Sequence, residues 1–385
     1  MSGDVEDRLA IGRRLATSVL DPMKSAFVGK DEVIDLLGVC LVGGENLFIL
    51  GPPGTAKSAL VQDLGRRLAG KTFDYLLTRF TEPSELFGPF DIRKLREGDL
   101  VTNTDGMLPE ASFVFLDELL NANSAVLNSL LTVLNERIFR RGRETRPLPL
   151  VMTVGASNHL PDDDALGALF DRFLLRVHCE NVPGDRLSDV LDAGWRLERR
   201  DTRGADAISL DDVRRLATLL TDVDVQAVRA DLAQIVVRLR RAGVTVSDRR
   251  AVKMQRLVAA SALLCGRLRA VKTDLWVFRH IWDTLEQEEV IAAVVEEALV
   301  GAETADAHPR ARRGGAPDPE ALLRDLDDVA SRLDRLDLPE SERAAMRDHV
   351  GLLAARCQWV QGDEKRPFLL GKVEQLWARI GKPGA

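Results

Sequence analysis

The stretch GPPGTAKS, residues 51–58, holds the residue types needed to bind a polyphosphate. Cradling phosphate takes successive backbone N–H groups that converge on anionic oxygens, with a helix N-terminus behind them. Glycine serves where φ must be positive or where a side chain would strike the anion, and Gly51 and Gly54 meet that need. In the pattern G-x-x-x-x-G-K-[ST] the lysine reaches the β- and γ-phosphates and the hydroxyl ligates Mg2+; Lys57 and Ser58 stand in those places. Ala56 stands where the second glycine belongs. A residue inside a helix start tolerates a methyl group, so Ala56 is expected at a negative, helical φ, with Gly54 taking the unusual dihedrals. With Gly or Ala allowed there, the pattern arises by chance in about a few per cent of chains this long, so it needs companions.

Two companions lie downstream. FVFLDE, residues 113–118, is an apolar run ending in Asp117 and Glu118, and open α/β sheets place their ligands at the C-terminal ends of such strands. Asp117 suits a Mg2+ shell, and Glu118 suits the general base that deprotonates an attacking water. An Asp-Glu pair alone fits the charged start of a helix equally well; about sixty residues after a phosphate loop, the catalytic reading outweighs it. LVMTVGASN ends another apolar run in Asn158, whose amide can reach the same water or the γ-phosphate, although Asn after a strand is also an ordinary turn residue.

The elements that must position these residues follow from periodicity. NLFIL, FDYLLTRF, SFVFLDE and LVMTVGASN read as strands, and they alternate with helical stretches such as KSALVQDLGRRLAG and SAVLNSLLTVLNERIF. That alternation predicts an α/β fold with a parallel sheet flanked by helices over residues 1–180. PFDIRKLREGDLVTNTDG predicts a β-hairpin insert near 88–107, and RGRETRPLP a second small hairpin or loop. Residues 181–300 carry helical spacing only and form an all-α second domain. Residues 301–316 are rich in Ala, Gly, Pro and Arg and read as a flexible linker. Residues 317–385 read as a C-terminal antiparallel helical hairpin with a packing role. An amphipathic helix is expected over residues 5 to 20.

Bulk properties bound the function. The length implies about two or three domains, and 45% apolar with 29% charged residues is globular. A net charge of −7 argues against a general nucleic-acid coat. No apolar run approaches the ~20 residues of a membrane span. Cys40, Cys179, Cys265 and Cys357 are scattered without a metal or redox spacing. A cytoplasmic protein with reduced thiols is the expectation.

GPPGTAKS, FVFLDE, GASN, LFDRF and SDRR occur in the order of an AAA+ ATPase and resemble its MoxR branch. TRFTEPSELFGP, LNSLLTVLNERIFRRG and VSDRRAVKMQRLVAASALLCGR look closest to the RavA-like subgroup. The resemblance spans about residues 8 to 300, and an Ala before the loop lysine is a familiar variant in that branch. It implies that Gly51, Pro52, Pro53, Gly54, Thr55, Ala56, Lys57, Ser58 and Ala59 bind ATP, with Val28 and Gly29 lining the adenine pocket. Asn158 takes the sensor 1 place, Arg172 in LFDRF resembles the arginine finger of a neighbouring subunit, and Arg249 in SDRR the sensor 2 arginine, with Arg250 as its competitor. The helical second domain corresponds to the lid, and the insert faces the ring pore. There Arg93, Lys94 and Arg96 either meet an acidic or nucleic-acid client or form a solvated face. The basic RIFRRGRETR lies near the expected subunit interface.

The function implied is a Mg2+-dependent ATPase that works in a homo-oligomeric ring, expected to be a hexamer. It would remodel or activate a partner bearing a von Willebrand factor A (vWA) domain. Two alternatives remain open: a nucleic-acid-stimulated motor, against which the acidic balance counts, and a non-hydrolysing nucleotide-dependent scaffold, against which the full set Lys57, Asp117, Glu118, Asn158 and Arg172 counts.

Overall fold

Apolar runs too short for helices become the strands of one parallel sheet. A computed structural model describes the chain except residues 1, 97–99, 142–143, 162–163, 200–207, 303–306, 312–318, most of 334–364, and 381–385. Met1–Ala311 forms one compact unit and Arg312–Ala385 another. The first unit opens with α1 (Ser2–Arg14), a π-helical turn (Leu15–Leu20) and α2 (Asp21–Ala26). The expected N-terminal helix therefore runs on past Pro22. The proline falls in the first turn of α2, where its missing N–H breaks little of the ladder.

α3 (Asp31–Gly43) ends on Gly44 at φ 67, followed by β1 (Leu47–Leu50), α4 (Lys57–Arg67) and β2 (Thr72–Leu76). Short α5 (Pro83–Phe87) and α6 (Ile92–Arg96) precede β3 (Phe113–Asp117), α7 (Ser124–Glu136), β4 (Ile138–Arg141) and β5 (Glu144–Pro147). Then come β6 (Met152–Ser157), α8 (Asp164–Phe170) and β7 (Leu175–His178). The sheet order is β2-β3-β6-β1-β7, with every pair parallel. β1 and β6 are buried along their whole length, as a parallel sheet covered on both faces requires.

Three expectations need correction. Among the described residues the 88–107 insert forms no two-stranded ladder. Its arms meet at the antiparallel bridge of Phe90 to Thr102, where the Asp91 N–H donates to the Val101 carbonyl and the Asn103 N–H to the Pro89 carbonyl, and α6 occupies its first arm. Asp91 explains the difference, because its carboxylate accepts the Arg93 N–H at 2.8 Å and so caps a helical turn. The expected turn centre, 97–99, lies outside the described residues. Second, β7 went unread. Its LRVH carries a fully buried Arg176 that interrupts the apolar run. Third, the stretch read as a flexible linker is anchored over its described residues 307–311. His308 is buried and stacked on Trp276 at 4.7 Å between centroids, and Arg310 pairs with Asp35 at 2.9 Å. The pair β4–β5 is the small second hairpin expected there.

The helical domain contains α9 (Leu187–Arg199), α10 (Leu210–Ala217), α11 (Gln226–Arg241), α12 (Asp248–Leu264), a 3-10 segment (Lys272–His280) and α13 (Leu285–Leu299). Charged clasps join it to the sheet. Asp283 accepts from Arg176 of β7 and Arg250 of α12, each at 3.0 Å, and both guanidiniums also donate to the Ile281 carbonyl. His178 at the end of β7 lies 2.9 Å from Glu288 of α13 and stacks on Trp282. Among the described residues no helix is long and apolar enough to cross a membrane.

The C-terminal unit contains α14 (Pro319–Leu333) and α15 (Lys365–Ile380). Leu322 and Leu326 share a core with Leu369 and Val373, and with Val350, Leu353 and Cys357 at helical spacing. The second arm of the expected hairpin lies mostly outside the described residues; among those described, α14 shares its core with α15, which the sequence reading did not place.

His178 yields a pH prediction. Its hydrogen bond to Glu288 raises its pKa above the usual value, outweighing partial burial, with Glu180 and Glu32 adding to the rise. A raised folded-state pKa contributes stability that is fully present below the unfolded value of about 6.5 and is lost as pH rises through the folded value. Burial holds His280 and His308 at about 4, which works in the opposite sense: stability falls as pH drops below about 6.5. The expected signature is therefore a difference. Glu288→Gln should lower the melting temperature of the larger unit at pH 6, with the gap closing towards pH 8.5; a gap independent of pH would refute the clasp.

Candidate active site

β1 delivers the phosphate loop to the switch point of the sheet, where its two neighbours are reached by connections running in opposite directions. The first loop residue packs backbone to backbone. A Cβ on Gly51 would stand 2.2 Å from the Cys179 carbonyl oxygen, so only glycine fits. Cys179 also donates its thiol to the Thr55 carbonyl at 3.3 Å. Gly54 has φ +81 with nothing within 4 Å of its would-be Cβ, which leaves open space in front of the loop. Lys57 is buried and folds back on the loop, donating to the Gly51 and Pro52 carbonyls at 2.8 and 2.9 Å.

Ala56 departs from expectation. It lies at φ 67, ψ 23, in the left-handed region, and acts as the N-cap of α4. The helix begins at Lys57, as the sequence reading placed it, but the residue before it is left-handed and turns the chain from loop into helix. The glycine of the usual pattern is thereby explained: it meets a positive φ at no steric cost. Ala56 carries that strain, about 1–2 kcal/mol, with its methyl exposed. The expectation for Gly54 holds.

The other site residues gather at the same C-terminal edge. β3 ends in Asp117, which is level with the end of β2, and β6 separates β3 from β1. At about 4.8 Å per strand, β3 and β1 stand roughly 10 Å apart, with Asn158 emerging exposed between them at the end of β6. Glu118 leaves the strand at φ 49, another left-handed residue, and its N–H is held by the Asp117 carboxylate at 3.0 Å. The Asn121 amide lies 3.4 Å from the Glu118 carboxylate. Neither the twist at Glu118 nor the role of Asn121 was read from sequence, although an Asn three residues after an acid in a helical turn is the available signal.

Val28 and Gly29 line a cleft of about 400 Å3 together with Lys24 and Asp31, and with Asp189, Asp192 and Arg196 of α9. The cleft is open and mostly polar. Its charged wall on α9 was not foreseen. One segment joins the cleft to the loop: Cys179 abuts Gly51, Lys30 donates to the Glu180 carbonyl, and Val182 lies against Gly29.

Two arginines are not brought to this edge. Arg172 precedes β7, so it stands at the N-terminal edge, a four-residue strand or about 13 Å from the phosphate loop. It pairs with Asp171 at 3.3 Å, and its Nε is buried without a hydrogen-bond partner among the described residues. Arg249 is exposed on the first turn of α12. One turn later Lys253 pairs with Glu45 at 2.6 Å, which anchors that helix beside the start of β1. Arg250 is buried in the Asp283 clasp and committed to it.

For metal, no group of three or more His, Cys, Asp or Glu side chains among the described residues forms a site. Ser58 and Asp117 instead suit Mg2+, which typically takes one or two protein ligands and completes its shell with phosphate oxygens and water.

This strand order, with the loop at the switch point and a helical domain after β7, is that of the AAA+ ATPases. Residues 13–218 match the MoxR domain of the MoxR-vWA-beta-propeller ternary systems, and residues 223–295 match an AAA lid domain. The chain belongs to the MoxR family, and the matching domain is described for those ternary systems rather than for the RavA-like subgroup. An uncharacterized protein of Methanocaldococcus jannaschii is 36% identical over 266 residues, 69% of this chain and 70% of its own length. The chaperone MoxR1 of Mycobacterium tuberculosis is 27% identical over 160 residues, covering 40% of this chain and 42% of its own. A crystal structure of a Cytophaga hutchinsonii protein superposes with TM-score 0.61 at 20% identity over 77% of this chain and 97% of that one; this likeness concerns the fold alone.

Relieving the strain at Ala56 is a direct check on the loop. Ala56→Gly should stabilise the nucleotide-free protein by up to about 1 kcal/mol, seen as a rise of roughly 1–3 °C in the melting of the larger unit. A fall of that size would contradict the left-handed assignment.

Proposed function

We propose that the chain is a Mg2+-dependent ATPase that works as a homo-oligomeric ring. Six subunits is the expectation, and the ring acts in the cytoplasm to remodel or activate a vWA-domain partner in the manner of a chaperone. The observation that carries the proposal is the separation of the arginines from the phosphate loop. Arg172 stands at the opposite edge of the sheet from its own phosphate loop, so it suits a neighbouring subunit's site better than its own. Head-to-tail packing offers one chain's N-terminal edge to the next chain's loop and closes into a ring when the rotation allows. Arg249, on a helix anchored beside that same edge, fits the same trans role better than Arg250 does.

The chain's own residues then divide the work. Val28 and Gly29 receive the adenine end, and the loop from Gly51 to Ala59 holds the phosphates through its N–H groups. Lys57 exchanges its two loop carbonyls for phosphate oxygens. Ser58 and Asp117 hold Mg2+, which neutralises developing charge on the phosphates when bound. Glu118 takes the proton of the attacking water, Asn158 orients that water, and Arg172 of the adjacent subunit stabilises the charge of the transition state. The matched domain's description supports a vWA partner.

Glu118→Gln should keep ATP binding and lower turnover by about 10² to 10⁴; undiminished turnover would remove Glu118 as the base. Arg172→Ala should lower turnover by about 10³ or more. Co-expression with Glu118→Gln chains should restore part of it, since each chain supplies what the other lacks. Pull-down with the ATP-bound Glu118→Gln protein should retain a vWA-domain protein; stimulation of turnover by DNA that weakens with salt would favour a nucleic-acid motor instead.

A further inference from the structure

We infer that Asn46 is the positioning residue for Arg172, holding the arginine's turn in register with the sheet that carries the phosphate loop. The inference rests on the trans role of Arg172 proposed above. Asn46 precedes β1 and is 5% exposed. Its amide nitrogen donates to the Arg172 carbonyl at 3.2 Å, and its amide oxygen accepts the Thr153 N–H at 3.2 Å. One side chain therefore bridges β1, the strand that ends in Asn158, and the peptide that sets the direction of Arg172. The turn itself is tied back to α8 by the Arg172 N–H to Leu169 and the Phe173 N–H to Phe170, bonds that leave the Arg172 carbonyl to Asn46.

The residue before it extends the bracket. Glu45, also buried, pairs with Lys253 on the helix that bears Arg249. The dipeptide Glu45-Asn46 thus touches the turn of the half-buried Arg172 and the helix of the exposed Arg249, five residues ahead of Gly51 in the same chain. A shift of β1 as the loop fills would reach both arginines through it. A purely structural Asn would satisfy two backbone groups and do nothing more. The two roles differ in which subunit's site suffers when the bond to Arg172 is lost.

Asn46→Asp separates them, because a carboxylate still accepts the Thr153 N–H but cannot donate to the Arg172 carbonyl. Turnover should fall about tenfold or more, within the ~10³ to 10⁵ that a finger is worth. The affinity for a fluorescent ATP analogue should stay within about twofold, and adding Asn46→Asp to Arg172→Ala should cause no further loss. Co-expression with Glu118→Gln chains should restore activity above the sum of the two alone, since the defect falls on the neighbour's site. If Arg172→Ala is rescued by Glu118→Gln chains and Asn46→Asp is not, Asn46 acts in its own subunit and the inference is overturned. If neither is rescued, the trans reading of Arg172 itself fails. Should Asn46→Asp lose nucleotide binding, Asn46→Ser, which also lacks the amide donor, carries the same comparison.

Discussion

Everything functional in this molecule hangs on β1 being clamped in register between β6 and β7. The ladder sets Leu50 level with Ser157 on one side and His178 on the other, so the phosphate loop, Asn158 and Cys179 emerge together. The contact of Gly51 with the Cys179 carbonyl exists only because those registers agree, and it fixes where the loop begins. A slip of one residue would carry the loop away from Asn158 and turn inward side chains outward. The same register places Asn46, Thr153 and the turn of Arg172 together at the opposite edge. A strand of four residues therefore sets the positions of residues at both edges of the sheet.

The helical domain is joined to this frame by charge rather than by apolar packing alone. Arg176 and Arg250 share one carboxylate, Asp283, and are largely removed from water. Buried pairs of this kind add little net stability, but removing one partner is costly. They specify where the lid sits. His178 and Glu288 add a contact that depends on protonation at the end of β7, and residues 307–311 strap the lid segment at Trp276 and Arg279 to Asp35 of α3. The lid strap and the cleft beside Gly29 are thus linked through Lys24, which pairs with Asp35 and lines the cleft.

Local chemistry explains what could be read from the residues and what could not. The loop, β1, β3 and β6 were legible because uninterrupted apolar runs ending in polar residues have few other uses. β7 was not, since Arg176 breaks its run and is accommodated by Asp283 and the Ile281 carbonyl, both over a hundred residues away. The insert was misread because Asp91 can cap a helical turn as readily as it can start a hairpin. Residues 307–311 looked like a linker because Ala, Pro and Arg are common in linkers, and partners across the fold, Trp276, Arg279 and Asp35, make them an anchor.

The sequence by itself determined the residue types and their order: a lysine and hydroxyl after a glycine loop, two carboxylates and an asparagine after apolar runs, in the order of a family resemblance that implies ATP and Mg2+. Those residues are close to their elements in the chain, so period and spacing reveal them. Only the tertiary structure decided the sign of φ at Ala56, the commitment of Arg250 to a clasp, and the side of the sheet on which Arg172 stands. Each of these depends on which distant backbone or carboxylate lies opposite, and contacts of that kind leave no local period to read.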